Sequence, residues 1–216
     1  MTTDQFIEEV DADLKRERQL ALWRKYGRYA VAAALLAIIV AAAFVGWRNY
    51  QDNLRAKAGL AYATAADAAG EGKVDEALES FRRLGSEAPE GYAELARLQQ
   101  AAQLARQGNE AAAAEIYDSL AKDSEVAEPF RNLAVLLYGF AVVDRTDPAS
   151  LAERIKPLAT AANPWRYSAQ ELLALLARRQ GDDKSARDIF KRLADDPATP
   201  PSVRARAAEF LAVSGK

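Results

Sequence analysis

The sequence contains neither cysteine nor histidine. Disulfides, thiol nucleophiles, Ser-His-Asp triads and the usual Cys or His metal sites each require at least one of these residue types. Only carboxylates, Lys, Tyr, Ser and Thr therefore remain for chemistry. A chain without cysteine fits an oxidising compartment such as the periplasm as well as it fits the cytosol.

Glycine and proline are also scarce, with 11 Gly and 8 Pro among 216 residues, whereas alanine occupies 48 positions. Alanine is the strongest helix former, and Gly and Pro are the weakest. The composition therefore predicts an all-α fold without a β-sheet. The formal net charge of −2 provides no basic field of the kind that nucleic-acid binding requires, so DNA and RNA are not expected as partners.

One long apolar run stands near the amino terminus. Residues 29–47, YAVAAALLAIIVAAAFVGW, are 19 consecutive uncharged residues, which as a helix would span about 28 Å, close to the hydrocarbon thickness of a bilayer. Aromatic residues lie at both ends, where the headgroup region favours them. The alternatives are a buried core helix, which rarely lacks a polar face, and a cleaved signal peptide, which has a shorter apolar core and a shorter preceding region. The run predicts an uncleaved transmembrane helix that anchors the chain in a lipid bilayer.

The distribution of Lys and Arg predicts the orientation of this helix. Six basic residues precede the run within the first 28 positions, and three follow it within the next ten. Cytoplasmic flanks carry the excess of positive charge. We therefore expect a cytoplasmic tail at 1–28, a transmembrane helix at 29–47 and an exported domain at 48–216.

The tail itself is patterned, with acidic residues before a basic cluster. Phe6, Val10 and Leu14 recur every four residues, which places them on one face of a short amphipathic helix. The basic half could contact anionic lipid, and the acidic, apolar half could bind a cytoplasmic partner.

A spaced pattern recurs in the exported part. It consists of Gly, then a small residue five positions later, an aromatic residue four after that, and Leu three further on. Three units share it: Gly72, Ala77, Phe81 and Leu84, followed by Pro89; Gly108, Ala113, Tyr117 and Leu120; and Gly181, Ala186, Phe190 and Leu193, followed by Pro197. Gly permits the tight turn of a helical hairpin, and the small and aromatic residues pack its helices.

A fourth, degenerate unit is expected between Gly108 and Gly181, since these residues are two periods apart. Leu151, Ile155 and Leu158 hold the corresponding apolar positions, although Pro157 is unfavourable inside a helix. The units resemble tetratricopeptide repeats and cover roughly residues 56 to 196. Pro201 to Val213 is predicted to form a terminal capping helix, with Phe210 and Leu211 packed inward.

The tail FIEEVDADLKRE, the juxtamembrane WRKYGRY and the order of tail, anchor and repeats resemble the YfgM-like family of ancillary subunits of the bacterial Sec translocon. This resemblance implies a non-enzymatic scaffold, anchored in the bacterial inner membrane with its carboxy-terminal domain in the periplasm. It also implies the SecYEG channel and a membrane-anchored periplasmic chaperone of the peptidyl-prolyl isomerase type as partners. A periplasmic coordinator of cell division or stress signalling is the alternative function, and a homodimer remains open.

In tetratricopeptide domains the first helix of each hairpin lines a groove. The repeat register predicts a mainly apolar lining with arginines at its edge: Tyr62, Leu98, Leu136, Phe140, Val143 and Leu175, with Arg106, Arg178 and Arg179. Such a lining favours an amphipathic helix or an apolar segment as the partner. The competing interpretation is that these residues only pack the repeats together. Trp165 and Tyr167, where large side chains also concentrate, leave the same two interpretations open.

No catalytic, metal or cofactor site is predicted. Three pairs of adjacent carboxylates could act as acid/base or metal groups: Glu8 and Glu9, Asp182 and Asp183, and Asp195 and Asp196. Adjacent residues in a helix point in different directions, and the last two pairs fall in predicted turns, so we expect solvated carboxylates at all three.

Overall fold

The computed structural model describes the backbone of residues 3–214 and the side chains of residues 23–29 and 31–213. Within this part of the chain, all regular structure is helical, as the composition predicted. The helices are α1 (Thr3–Gly70), α2 (Val74–Glu87), α3 (Tyr92–Arg106), α4 (Glu110–Lys122), α5 (Glu128–Val142), α6 (Pro148–Ile155), α7 (Arg166–Arg179), α8 (Asp183–Asp195) and α9 (Pro201–Ser214), with a 3-10 helix at Lys156–Ala159.

Helix α1 is longer than the sequence suggested. Its 68 residues include the expected tail helix, the apolar run and the first repeat helix, which the sequence pattern treated as three segments. The first proline of the chain is Pro89, so residues 3–70 contain no residue that removes a helical hydrogen bond. The amphipathic face predicted at Phe6, Val10 and Leu14 lies outside the described side chains.

The chain divides into two compact units, Met1–Leu54 and Arg55–Lys216. In the first unit the apolar run is exposed, and every large hydrophobic side chain between Val31 and Val45 is at least half accessible. By length and composition, α1 is the one helix among the described residues that could cross a membrane. A continuous apolar surface of this size is otherwise exceptional on a soluble protein.

The second unit is a row of helical hairpins. The end of α1 pairs with α2, α3 with α4, α5 with α6, and α7 with α8, while α9 packs on α8 and α7. The twelve repeat positions are all buried: Ala77, Phe81, Leu84, Ala113, Tyr117, Leu120, Leu151, Ile155, Leu158, Ala186, Phe190 and Leu193. The predicted register of three good units and one degenerate unit is therefore confirmed, and α9 forms the expected cap.

Three of the four hairpin turns depend on glycine. Gly72, Gly108 and Gly181 adopt φ values of +82°, +81° and +82°, a region that side chains with a Cβ rarely occupy. The turn of the third hairpin lacks such a glycine. There Asp147 begins α6 by accepting hydrogen bonds from the backbone N–H of Ser150 at 2.8 Å and from its hydroxyl at 2.7 Å, and these bonds lower the pKa of Asp147.

The third hairpin also has the shortest second helix. Helix α6 has eight residues and passes into the 3-10 helix that contains Pro157, which accounts for a proline in the middle of the repeat pattern. Side chains from neighbouring helices hold α6 in place. Arg154 donates to Asp118 of α4 at 2.7 Å, and its guanidinium carbon lies 4.4 Å from the ring centre of Tyr138 on α5. Burial alone would raise the pKa of Asp118, but the hydrogen bonds from Lys122 and Arg154 outweigh it and lower this pKa.

Candidate functional site

The residues predicted to line a groove divide between three separate clusters. Tyr62 is half-buried in the first hairpin, where its ring centre lies 5.6 Å from that of Phe81 and 6.4 Å from that of Tyr92. Leu98 is 7% exposed and belongs to the core between α3, α4 and α5. Neither residue shares a cluster with the other predicted positions.

The third cluster joins α5, α6 and α7, and contains Leu136, Phe140, Val143 and Leu175. Leu136 is only 4% exposed and is part of the core itself, whereas the other three are partly accessible. A side chain that is buried between helices has no surface left for a partner. Leu136 and Leu98 are therefore withdrawn from the groove lining, because helical spacing alone does not separate the core face of a helix from the adjacent half-exposed face.

Four of the predicted residues do meet at one pocket. Val143, Leu175, Arg178 and Arg179 line a pocket of about 370 Å³, and Asp144 completes the lining. We call this the groove pocket. It lies where the end of α5 approaches the second half of α7, and it combines two aliphatic side chains with two exposed arginines and one carboxylate. Arg106, predicted at the groove edge, is exposed at the end of α3 and is not part of this lining.

Both arginines of the groove pocket are held in place by other parts of the repeat domain. One guanidinium nitrogen of Arg179 donates to the carbonyl oxygen of Thr146 at 2.7 Å and also to that of Val143. These carbonyls follow the end of α5, where helical hydrogen bonding leaves acceptors unsatisfied. The guanidinium of Arg178 lies 5.1 Å from the ring centre of Phe210 on α9, within the range of a cation–π interaction. The positive edge of the pocket is therefore preorganised.

A buried carboxylate that the sequence pattern did not predict lies beside this surface. Glu171 on α7 is 5% exposed, and its two oxygens accept hydrogen bonds from Nε and Nη2 of Arg206 on α9, both at 2.6 Å. The hydrogen bond to Glu171 raises the pKa of Arg206. Glu171 occupies the repeat position that holds Leu98 and Leu136 in the preceding units. A charged residue at an otherwise apolar position was the available signal.

We expect Arg206→Ala to lower the free energy of unfolding by about 1 to 3 kcal/mol, because it leaves a buried carboxylate without its partner. This expected loss of stability is small for a buried ion pair, because the Arg206 side chain is itself half exposed. The double variant Glu171→Leu/Arg206→Leu should recover most of the loss. Chemical denaturation of the full chain measures both. Arg83→Ala, at an exposed position of α2, is the matched control. An equal loss of stability in that variant would contradict a stabilising role for the Glu171–Arg206 pair.

The adjacent carboxylates form no metal site in the described part of the chain, where no group of three or more Asp or Glu side chains could hold an ion. Asp182 instead begins α8 by accepting the backbone N–H of Ser185 at 3.0 Å. Its pKa is lowered by hydrogen bonds from the Ser185 hydroxyl and N–H. Asp196 accepts the hydroxyl of Tyr167 at 3.3 Å and the N–H of Ala198 at 2.8 Å. Glu8 and Glu9 lie outside the described side chains.

The chain matches the model of a known protein family. Residues 21–198 match the family model of the tetratricopeptide repeat-like domain. No curated protein and no solved structure matches the chain. The match covers the greater part of the sequence and includes all four hairpins, whose buried positions follow the repeat register. The chain belongs to the family of tetratricopeptide repeat-like domain proteins.

Proposed function

We propose that this protein is a membrane-anchored scaffold that binds a protein partner at the groove pocket and performs no catalysis. The proposal rests on two features that occur in the same chain. One is an exposed apolar helix long enough to cross a bilayer. The other is a repeat domain whose pocket is partly apolar and has two arginines at its edge, both held by other residues. Domains of this family typically act through protein–protein contacts.

The lining of the groove pocket defines the partner's chemistry. Val143 and Leu175 offer an apolar surface, and Arg178 and Arg179 place positive charge at its edge. An amphipathic helix that presents a large apolar side chain next to Asp or Glu would satisfy both. Because the arginines are already held, ordering them on binding costs little additional entropy.

The resemblance to the YfgM-like family favours one particular setting for this scaffold. In that setting residues 1–28 are cytoplasmic, residues 29–47 span the bacterial inner membrane and residues 48–216 are periplasmic. The partners are the SecYEG channel and a membrane-anchored chaperone of the peptidyl-prolyl isomerase type. A cell-division or stress-signalling complex is the alternative, and the identity of the partner distinguishes the two.

The proposed topology gives an expected digestion pattern. Protease added to spheroplasts should remove the region after Trp47 and spare the first 28 residues, because the six basic residues before the apolar run retain that side in the cytoplasm. Immunoblotting with tags at either end measures the pattern. Survival of the carboxy-terminal tag in intact spheroplasts, with its loss only after lysis, would contradict the orientation.

Partner binding at the groove pocket is tested with Val143→Ser/Leu175→Ser. We expect capture of the translocon and the chaperone from detergent-solubilised membranes to fall by tenfold or more, since interfacial apolar anchors each contribute about 2 kcal/mol. Quantitative mass spectrometry of the purified complex measures the change. The melting temperature should fall only slightly, because both side chains are partly exposed.

Two control variants make the capture experiment specific. Leu60→Ser alters a side chain that is 73% exposed and far from the pocket in sequence, and it should leave capture unchanged. Leu136→Ser should lower stability and reduce capture only through unfolding. Full capture by a stably folded Val143→Ser/Leu175→Ser variant would remove the pocket from the proposed function. Recovery of a cell-wall synthase or a signalling regulator in place of the translocon would favour the alternative setting.

A further inference from the structure

A cluster of three cations lies directly before the apolar run of α1. The side chains of Arg24, Lys25 and Arg28 are all exposed, and none of them forms an ion pair with another described side chain. Residues 18–51 contain no Asp or Glu, so this stretch of α1 supplies no countercharge of its own. We call these three residues the basic flank.

The spacing of the basic flank suits one bound anion. Arg24 and Arg28 are four residues apart in α1 and Lys25 is three residues before Arg28, so the three side chains are neighbours on the helix surface. Like charges at this spacing repel one another. An anion that accepts hydrogen bonds from both arginines removes the repulsion, and a phosphate group matches the two parallel N–H donors of a guanidinium.

Aromatic side chains hold two of these cations at the edge of the apolar run. The guanidinium carbon of Arg28 lies 4.8 Å from the ring centre of Tyr29, and its Nη2 donates to the Tyr29 hydroxyl at 2.9 Å. Nζ of Lys25 lies 5.4 Å from the ring centre of Tyr26. Both contacts are within the range of a cation–π interaction, so part of the entropy cost of ordering these side chains is already met before an anion binds.

A tryptophan beside the basic flank is fixed against the helix. A Cβ atom added at Gly27 would lie 3.2 Å from both Cδ2 and Cε2 of Trp23, and Gly27 is buried although its neighbours on α1 are exposed. The Trp23 indole therefore covers Gly27, yet it remains 64% exposed. An indole with an open surface at this position favours the interface between hydrocarbon and water.

The depth of the basic flank matches the headgroup layer of a bilayer. Arg24 precedes Tyr29, the first residue of the apolar run, by five residues, which is about 7.5 Å along a helix. The headgroup layer is about 5 to 8 Å thick on each side of the hydrocarbon. The other end of the run differs, because Arg48 already lies 3.9 Å from the carboxylate of Asp52.

We propose that the basic flank binds the headgroup phosphate of an anionic phospholipid through the guanidinium groups of Arg24 and Arg28. The proposal rests on the membrane span that is part of the proposed function, but it uses no residue of the groove pocket. The chain then has a lipid site at one end of its anchor, next to its general contact with the bilayer.

Lipid titration of the full-length chain in dodecylmaltoside micelles tests the proposal, with native mass spectrometry to measure the bound lipid. Dioleoylphosphatidylglycerol should bind saturably and at least tenfold more tightly than dioleoylphosphatidylcholine, whose headgroup has no net charge. Arg24→Gln/Arg28→Gln should weaken the binding of the anionic lipid by tenfold or more, because each cation near an anionic headgroup contributes to the attraction. Equal binding of the two lipids, or an unchanged affinity in this variant, would overturn the proposal.

Matched variants distinguish this site from general charge attraction. Arg28→Gln should weaken binding of the anionic lipid by threefold or more, whereas Arg48→Gln, at the other end of the run, should leave it unchanged. An equal loss in both variants would overturn the proposal.

Two further controls separate the lipid site from other causes. Val143→Ser/Leu175→Ser should bind the anionic lipid like the unmodified chain, so that failure of the groove pocket and failure of the lipid site are told apart. Sodium phosphate should displace the lipid no better than sodium chloride of the same ionic strength. Preferential displacement by phosphate would identify a site for free phosphate and overturn the assignment to a lipid.

Discussion

Replacing Phe81, Tyr117 or Phe190 by Ala should lower the free energy of unfolding by about 3 to 5 kcal/mol in each case. The three side chains are 1%, 5% and 2% exposed and occupy the same position in three repeat units. Truncation leaves a cavity at the contact between the helices of a hairpin, and the surrounding helices relax only in part. Denaturant titration followed by far-ultraviolet circular dichroism measures the loss.

Leu60 provides the matched control for these aromatic positions. Its side chain is large and apolar but 73% exposed, so Leu60→Ala should change the stability by no more than about 0.5 kcal/mol. Unchanged unfolding midpoints in all three aromatic variants would mean that the repeat register is wrong.

Gly139→Leu should lower the free energy of unfolding by about 3 kcal/mol, the upper part of the usual range for overpacking. A Cβ atom at Gly139 would lie 2.5 Å from Cδ2 of Leu172 and 3.0 Å from Cδ1 of Ile155. Both neighbours are fully buried and have little space into which they can move. The same denaturant titration measures the effect.

The comparison residue for Gly139 is Gly70, which ends α1. A Cβ atom added at Gly70 would have no other atom within 4 Å. Gly70→Leu should therefore be close to neutral. Gly139→Ala should fall between the two, because the gain in helix propensity of about 1 kcal/mol opposes the steric overlap. If Gly139→Leu melts like the unmodified chain, the close approach of α5 to α6 and α7 is not present in solution.

The repeat architecture could be predicted from sequence because its determinants are local. A turn glycine such as Gly108 and the buried positions that follow it lie within 12 residues, so a fixed spacing identifies them even when one unit is degenerate. The continuity of α1 was missed for a related reason. The apolar run indicates a membrane span and the repeat pattern indicates packing positions, but neither shows where a helix ends. No proline separates the two patterns.

The candidate sites were only partly predictable because they depend on contacts between distant residues. The register predicted Val143, which directly follows α5, and Leu175 on α7 for the same surface, but it could not distinguish them from the buried Leu136. Arg179 reaches carbonyl groups 33 and 36 residues earlier, and Arg206 reaches a carboxylate 35 residues earlier. Spacing within one helix contains no information about such pairs.

The short length of α6 affects where the repeat domain unfolds locally. In a repeat array each hairpin is stabilised mainly by its neighbours, so the array separates first at its weakest junction. Helix α6, with eight residues, offers fewer packing positions than α2, α4 or α8, so we expect that junction to lie between α5 and α7. The groove pocket spans the same two helices. A partner bound there would bridge the two blocks of the array, so that binding and the suppression of local unfolding become one thermodynamically linked event.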